Sequence, residues 1–115
     1  MRTLDLGHAG LTITEARDRL DDAINVASFR GDDVLVVVHG YGSSGTGGRI
    51  RSMVRAQASR ALSDGSISGW MAGEECGRGS RRARDLERRL PALARLDVWQ
   101  RENPGVTVIV CRRKP

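Results

Sequence analysis

The strongest hydrophobic pattern in the chain is a run of five apolar residues, Val34 to Val38, with polar residues on both sides. Such a run predicts a strand that is buried on both of its faces. Five glycines follow between residues 40 and 48, and a new amphipathic run begins at Arg49. This order of strand, glycine loop and helix brings backbone N–H groups close to an anion, because glycine permits a close approach and a helix N-terminus adds unsatisfied donors.

The residues before this strand predict a short strand at 3–6 and then a long helix. Thr12 begins the helix with a capping box that Glu15 completes, and Gly31 is the expected C-cap. The spacing of three and four residues predicts one apolar face on this helix, formed by Ile13, Ala16, Leu20, Ala23, Ile24 and Ala27. Two strands joined by a crossover helix predict a right-handed βαβ unit.

The residues after the glycine loop predict further helices and two more strands. A helix is expected at 49–62, with Arg51, Arg55 and Arg60 on its outward face. The other predicted elements are a strand at 67–71, a helix at 78–90, a short helix at 91–99 and a final strand at 106–110. The predicted fold is therefore α+β, a two-layer sandwich of order βαβαβ(α)β in which a mixed four-stranded sheet carries two main helices on one face.

The length of 115 residues predicts a single domain over residues 1–115. We interpret residues 76–103 as a helical insertion, because Pro91 and the many arginines predict a mobile appendage outside the core, whose deletion is expected to leave the fold intact. Cys76 and Cys111 lack the spacing of a metal site and are predicted to be reduced thiols. No apolar run is long enough to span a membrane and no signal-peptide pattern is present, so we expect a cytoplasmic protein without a membrane partner.

Charge is distributed unevenly along the chain. The net charge of +5 divides into −3 over residues 1–48 and +8 over residues 49–115. A basic half downstream of an anion-binding loop predicts a polyanionic partner, DNA or RNA. The arginines at 78–89 have two open interpretations, a solvated helix face or a face that contacts nucleic acid. An aromatic content of 3% argues against a base-stacking platform.

The glycine loop also satisfies the GxGxxG pattern of dinucleotide-binding proteins, but two features argue against that function. Asp64 lies in the turn before the next strand, whereas a ribose-binding acid belongs at the end of that strand. The predicted helix begins at Arg49, too late for Gly45 to pack against it. A P-loop is excluded because the sequence contains no Gly-Lys-Ser/Thr.

Several short motifs, in this order, resemble those of the small MutS-related (Smr) domain family. Leu4-Asp5-Leu6 with His8, followed by Thr14-Glu15-Ala16 at a helix start, resembles the LDLHG…EA opening of the family. His39-Gly40-Tyr41-Gly42 resembles its HGxG/TGxG loop, and Gly48 with the helix at 49–54 fits its continuation. Residues 104–110 resemble its closing glycine turn and strand. The resemblance covers most of residues 3–71 and 104–111.

This resemblance implies a βαβαββ-type fold and a nucleic-acid endonuclease that nicks DNA or cleaves RNA, with dependence on Mg²⁺ or Mn²⁺ in some members. The chain departs from the family pattern at Gly7 and His8, where the family has histidine followed by glycine. It also has a longer segment between the third and last strands. We therefore predict an endonuclease first. The alternative is a non-catalytic module that binds branched or structured DNA or RNA, and a small-molecule phosphate-binding enzyme is a weaker third possibility.

Cleavage of a phosphodiester requires a base, an acid and relief of charge on the phosphoryl oxygens. His39 and His8 are the predicted proton-transfer pair, while Asp5 orients a histidine, binds a metal or only forms a turn. The predicted phosphate contacts are Gly40, Gly42, Ser43, Ser44, Thr46, Gly48, Arg49 and Arg51. We expect activity to depend on His39 more than on His8, because a one-residue slip turns a strand side chain to the opposite face. A lone carboxylate is a poor magnesium site without substrate oxygens, so the sequence assigns no cofactor with certainty and leaves Mg²⁺ or Mn²⁺ open.

Overall fold

The computed structural model describes residues 1–7, 10–40, 45–77 and 79–112, with the side chains of 45–47 left out. Its strands are β1 (Arg2–Asp5), β2 (Val34–Val38), β3 (Ile67–Ala72) and β4 (Val106–Cys111). Its helices are α1 (Ile13–Arg30), α2 (Gly45–Ser63), α3 (Arg81–Arg89) and α4 (Asp97–Gln100). Short 3₁₀ helices span Gly73–Glu75 and Pro91–Arg95. Within the described ranges, no helix is both long and apolar enough to cross a membrane.

The four strands form one mixed sheet in the order β1-β2-β4-β3. β1 pairs in parallel with β2, and β4 runs antiparallel to both β2 and β3. Because β2 and β3 both oppose β4, they run in the same direction. The carboxyl ends of β1, β2 and β3, at Asp5, Val38 and Ala72, therefore lie along one side of the sheet, which we call the carboxyl edge. The predicted mixed four-stranded sheet is confirmed.

Both main helices pack on the same face of this sheet, as predicted. The capping box of α1 is present, since the Thr12 hydroxyl accepts from the Glu15 N–H and the Glu15 carboxylate accepts from the Thr12 N–H. Gly31 ends α1 in the left-handed conformation with φ 77°. The first core lies beneath the two helices and is built mainly from Leu20, Ile24, Leu35, Val37, Val54, Ala58 and Ile109. Burial of these side chains holds α1 and α2 against the sheet.

A second core lies on the other face of the sheet, and it corrects the expectation for residues 76–103. Leu86, Leu93 and Trp99 from this segment are at most 4% exposed and pack on Val36 and Val108. β2 and β4 are apolar on both faces, so the second face must be covered to keep it from water. The segment therefore belongs to the core, and we expect its deletion to unfold the domain. That it is an insertion relative to the Smr family pattern stays a prediction.

The start of α2 also differs from the sequence prediction. The helix begins at Gly45 and not at Arg49. Glycine has low helix propensity, and the sequence pattern therefore placed the start one turn late. The late-start argument against a dinucleotide site is wrong as a result, whereas the argument from Asp64 holds, because Asp64 precedes β3.

Gly73 offers a direct test of how the second half of the chain is packed. A methyl group at Gly73 would lie 2.0 Å from the Asn103 carbonyl oxygen and 2.6 Å from that of Val106. Backbone atoms cannot rotate away, so we expect Gly73→Ala to lower the free energy of unfolding by at least about 3 kcal/mol, the upper end of overpacking costs. The measurement is chemical denaturation of both proteins.

Gly79→Ala is the matched control for this substitution. Gly79 has φ 68° but nothing within 4 Å of an added methyl group. It should lose only about 1 kcal/mol through backbone strain. Equal losses in the two variants would show that the Gly73 contact with the chain at 103–106 is not tight in solution.

Candidate functional site

The carboxyl edge brings two of the predicted site residues close together. The Leu6 N–H donates to the Val38 carbonyl at 2.7 Å, which extends the pairing of β1 with β2 past Asp5. The exposed Asp5 carboxylate accepts from the Gly7 N–H at 2.8 Å. A methyl group at Gly7 would lie 3.7 Å from the backbone carbon of His39. The turn that Asp5 forms therefore packs directly against the first residue after β2.

His39 is a buried histidine with a partner on each ring nitrogen. Its side chain is 2% exposed. Nδ1 lies 2.9 Å from the Gly40 carbonyl oxygen, which can only accept, so Nδ1 carries a proton and donates. Nε2 of the neutral ring then accepts from the Thr107 hydroxyl at 2.8 Å. A role for His39 in proton transfer requires one of these bonds to open.

Arg55 continues this set of hydrogen bonds toward α2 and β3. Its Nε donates to the Thr107 hydroxyl at 3.3 Å. Its two terminal nitrogens donate to the Glu74 carboxylate at 3.0 and 2.7 Å. We call the series Glu74–Arg55–Thr107–His39–Gly40 the buried hydrogen-bond chain. It joins the end of β3, the middle of α2, the start of β4 and the end of β2.

The sequence pattern assigned Arg55 to the outward face of α2, and that assignment is wrong. Its side chain is 20% exposed and points to the carboxyl edge. One signal was available, because Thr107 is the only hydroxyl in an otherwise apolar strand and needs a partner when buried. Arg51 and Arg55 lie one helical turn apart and border the buried stripe of α2. Their side chains can therefore supply a hydrogen-bond partner for the Thr107 hydroxyl.

The environment of His39 keeps its ring neutral. Burial lowers the pKa of His39 below its ordinary value, and the charges of Arg55 and Arg51 act in the same direction. The hydrogen bond to Gly40 and the charge of Glu74 oppose this shift without reversing it. Burial raises the pKa of Glu74, but the hydrogen bonds from Arg55 and the backbone outweigh it, so that the pKa of Glu74 lies below its ordinary value. The chain therefore contains one ion pair and one uncharged imidazole.

Gly40 begins the glycine loop in a fixed position. The N–H groups of His39 and Gly40 both donate to the Gly105 carbonyl, at 3.0 and 3.1 Å. Gly40 has φ 81°, and a methyl group on Gly105 would lie 3.3 Å from the Gly40 carbonyl carbon. The backbones approach this closely because Gly105 has no side chain, whereas Gly40 is favoured by its left-handed conformation. The Gly40 N–H would have to exchange this bond before it could donate to a phosphate.

The remaining predicted site residues fall into two groups. His8, Gly42, Ser43 and Ser44, with the side chain of Thr46, lie outside the described residues, and their predicted roles stay predictions. Gly48 and Arg51 are partly exposed on α2, Arg49 is exposed, and the first turn of α2 contains no acidic residue. Arg49 and Arg51 form no ion pair with the part of the chain that the structure describes.

The described residues do not assemble a metal site by themselves. Across residues 1–7, 10–40, 45–77 and 79–112, no group of three His, Cys, Asp or Glu side chains is arranged to hold an ion. At the carboxyl edge, Glu74 is held by Arg55, and Asp5 is a single carboxylate. Both cysteines are free thiols, and burial raises the pKa of Cys76 to about 12 and that of Cys111 to about 11. The predicted reduced state is confirmed.

The neutral His39 makes stability depend on pH in a defined window. Unfolding restores the ordinary pKa of 6.5, so below that pH the unfolded state binds a proton that the folded state does not. We expect the free energy of unfolding to fall from pH 7 to pH 5, by at most about 1.4 kcal/mol per pH unit. Denaturation at several pH values measures it. Carboxylates with lowered pKa values add a small loss near pH 5, and a variant without the imidazole separates that loss from the contribution of His39.

His39→Gln is the control for this prediction, since glutamine does not titrate. The loss of stability between pH 7 and pH 5 should be smaller in this variant than in the wild type. If its stability is too low to measure, NMR titration of the wild-type His39 ring gives the same answer. A ring that becomes protonated at or above pH 6.5 would contradict the prediction.

Comparisons with known proteins agree with this architecture. Residues 4–67, more than half of the chain, match the family model described as Smr domain. The crystal structure of the Smr domain of Thermus thermophilus MutS2 superimposes with a TM-score of 0.61 and 23% sequence identity, over 97% of this chain and 99% of that chain. No curated protein matched the sequence. Because this match covers more than half of the chain, from the end of β1 through β2 and the glycine loop to the start of β3, the chain belongs to the Smr domain family.

Proposed function

We propose that this domain binds nucleic acid at the carboxyl edge and cleaves a phosphodiester bond there. Smr domains are a family with nuclease and nucleic-acid-binding roles. The observation that carries the proposal is the N-terminus of α2, which begins at Gly45 directly after the glycine loop and has no acidic residue in its first turn. A helix N-terminus of this kind attracts a phosphate through unsatisfied N–H groups and the helix dipole.

Two arginines on the first turns of α2 support the binding of a polyanion. Arg49 is exposed, and Arg51 is close enough to lower the pKa of both His39 and Glu74 by its charge. Arg55, by contrast, is neutralised by Glu74. Arg49 and Arg51 therefore remain the proposed partners of phosphate oxygens.

For cleavage, Asp5 and His39 have separate roles. Asp5 is an exposed carboxylate at the end of β1 and would accept the proton of the attacking oxygen, while His8, whose role stays a prediction, would protonate the leaving oxygen. His39 acts as a positioning residue, because its Nδ1–H holds the Gly40 carbonyl and so fixes the start of the glycine loop. Backbone donors of the loop and of α2, with Arg51, would relieve charge on the phosphoryl oxygens. Predicted phosphate contacts from Gly42, Ser43, Ser44, Thr46 and Gly48 belong to the same proposal.

The burial of His39 is a specific observation in favour of the second candidate function, a non-catalytic module that binds structured DNA or RNA. An imidazole with both nitrogens hydrogen-bonded and a lowered pKa is a poor proton donor near neutral pH. If Asp5 does not act as a base, binding remains and cleavage is lost. The two functions therefore differ in a single measurement.

Asp5→Asn separates the two candidate functions. Asparagine keeps an oxygen that can accept from the Gly7 N–H but removes the charge. We expect the rate of cleavage of supercoiled plasmid or structured RNA to fall by about 10²-fold or more, the usual size of a general-base contribution, with affinity unchanged. The assay is run with Mg²⁺, with Mn²⁺ and with chelator.

His39→Ala is included in the same assay, because the activity of a contaminating nuclease would not change with this substitution. His39→Gln tests the positioning role, and it should retain part of the activity that His39→Ala loses. Wild-type protein that binds but cleaves nothing under any condition would leave the binding module as the function. Cleavage that persists in Asp5→Asn would remove Asp5 from the mechanism.

Arg49→Gln/Arg51→Gln tests the binding surface. Removing these charges should weaken the affinity for nucleic acid and lower the slope of log K against log salt by about 0.9 for each phosphate that is no longer neutralised. The matched control is Arg17→Gln/Arg19→Gln, which removes two exposed charges from α1. Equal losses of affinity in both double variants would show that the start of α2 is not the binding site. The measurement is a fluorescence anisotropy titration at several salt concentrations.

A further inference from the structure

We propose that the exposed arginines of α3 form a second contact surface, which holds the phosphate backbone of the nucleic acid bound at the carboxyl edge. This inference rests on the proposed function and adds a surface that lies outside the matched region at 4–67. α3 carries five arginines and two acids in nine residues. We call Arg81, Arg84 and Arg88 the α3 arginine face.

The rest of α3 is committed to packing, which separates its structural residues from this face. Ala83 and Leu86 are buried in the second core. Arg82 lies over the Trp70 ring at 4.6 Å from its centroid, a cation–π contact. Arg89 donates to the Ser68 carbonyl at 2.8 Å, at the start of the edge strand β3. These contacts hold the helix in one orientation on the sheet.

The α3 arginine face is charged beyond what its own neighbours neutralise. Its three arginines and Glu87 surround an open concavity of about 450 Å³. Arg88 pairs with Asp85 at 2.9 Å, and Glu87 accepts from the Trp99 indole N–H at 2.6 Å. Arg81 and Arg84 have no ion-pair partner among residues 1–7, 10–40, 45–77 and 79–112. This surface therefore presents to solvent two guanidinium groups that form no ion pair within those ranges, beside the single carboxylate of Glu87.

The position of these charges on the helix is unfavourable for the helix itself. Three of the first four residues of α3 are arginines, and no acid lies in the first turn. Cations at a helix N-terminus oppose the helix dipole, and neighbouring like charges repel. A solvated face selected only for stability would carry acids there. A polyanion relieves both effects, which favours a phosphate backbone as the occupant.

The direction of α3 brings this face toward the proposed binding site. Leu86 contacts Gly69 and Arg89 reaches Ser68, so the C-terminal half of α3 lies over the beginning of β3. Arg82, near the start of α3, lies over Trp70, further along β3, so the helix runs opposite to the strand. Arg81 and Arg84, in its first half, therefore lie toward the carboxyl edge, where β1, β2 and β3 end. One nucleic-acid strand that leaves the start of α2 can reach them, since the domain is 36 Å in its longest dimension.

The double variant Arg81→Gln/Arg84→Gln tests this inference. Arg17→Gln/Arg19→Gln is the matched control. A third variant, Arg81→Lys/Arg84→Lys, keeps the charge. The probe is a labelled duplex of about 30 base pairs, with a structured RNA of similar length in parallel. We expect affinity at about 0.1 M salt to fall about tenfold and the salt slope to fall by about 1.8, which is about 0.9 for each arginine. The lysine variant should bind within about threefold of the wild type. The melting temperature of the glutamine variant should not fall, because the charges that it removes are unfavourable for α3.

The outcomes separate this inference from the proposed function. If Arg81→Gln/Arg84→Gln keeps the salt slope of the wild type while Arg49→Gln/Arg51→Gln abolishes binding, the α3 surface is rejected and the site at α2 is retained. Loss of binding in the α3 variant, with none in the α2 variant, supports the α3 surface and overturns the site proposed at α2. A wild-type protein that binds neither probe overturns both.

Discussion

The buried hydrogen-bond chain is the interaction on which the carboxyl edge depends. Its two ends, the Glu74 carboxylate and the Gly40 carbonyl, can only accept, so the directions of the bonds through Thr107 and His39 are fixed. Leaving any buried member unpaired would cost about 1–3 kcal/mol. The same contacts occupy both ring nitrogens of His39 and keep it neutral. Because a ring held in this way fixes a loop well and exchanges protons poorly, Asp5 is the residue that we propose for the proton transfer.

The second constraint is that the central strands are apolar on both faces. Such strands must be covered twice, once by α1 and α2 and once by the segment from Cys76 to Trp99. The second cover buries a small number of residues, chiefly Leu86, Leu93 and Trp99, and leaves most of its arginines outside. A single segment thus completes the core with one face and carries concentrated positive charge on the other. The acidic first half of the chain has no comparable excess of positive charge.

The sequence by itself determined the elements whose signals are local. The apolar run of β2, the capping box of α1, Gly31 at its end and the family motifs between Leu4 and Gly48 depend on neighbouring residues, and each was predicted correctly. The fold class followed from their order. The βαβ unit was also predicted, and its parallel strands β1 and β2 place Asp5 and His39 at the same edge of the sheet.

Only the tertiary structure decided the partners of the polar side chains and the place of the last third of the chain. Arg55 bonds to Glu74 and Thr107, and His39 bonds to Thr107 across 68 positions, so no periodicity within one helix or strand can reveal these contacts. Because glycine has a low helix propensity, the predicted start of α2 was four residues late. The many arginines of α3 led to the expectation that it lies outside the core, although Ala83 and Leu86 are buried. In each case packing between distant segments outweighed the local preference, because the burial of apolar area and the pairing of buried polar groups are properties of the whole fold.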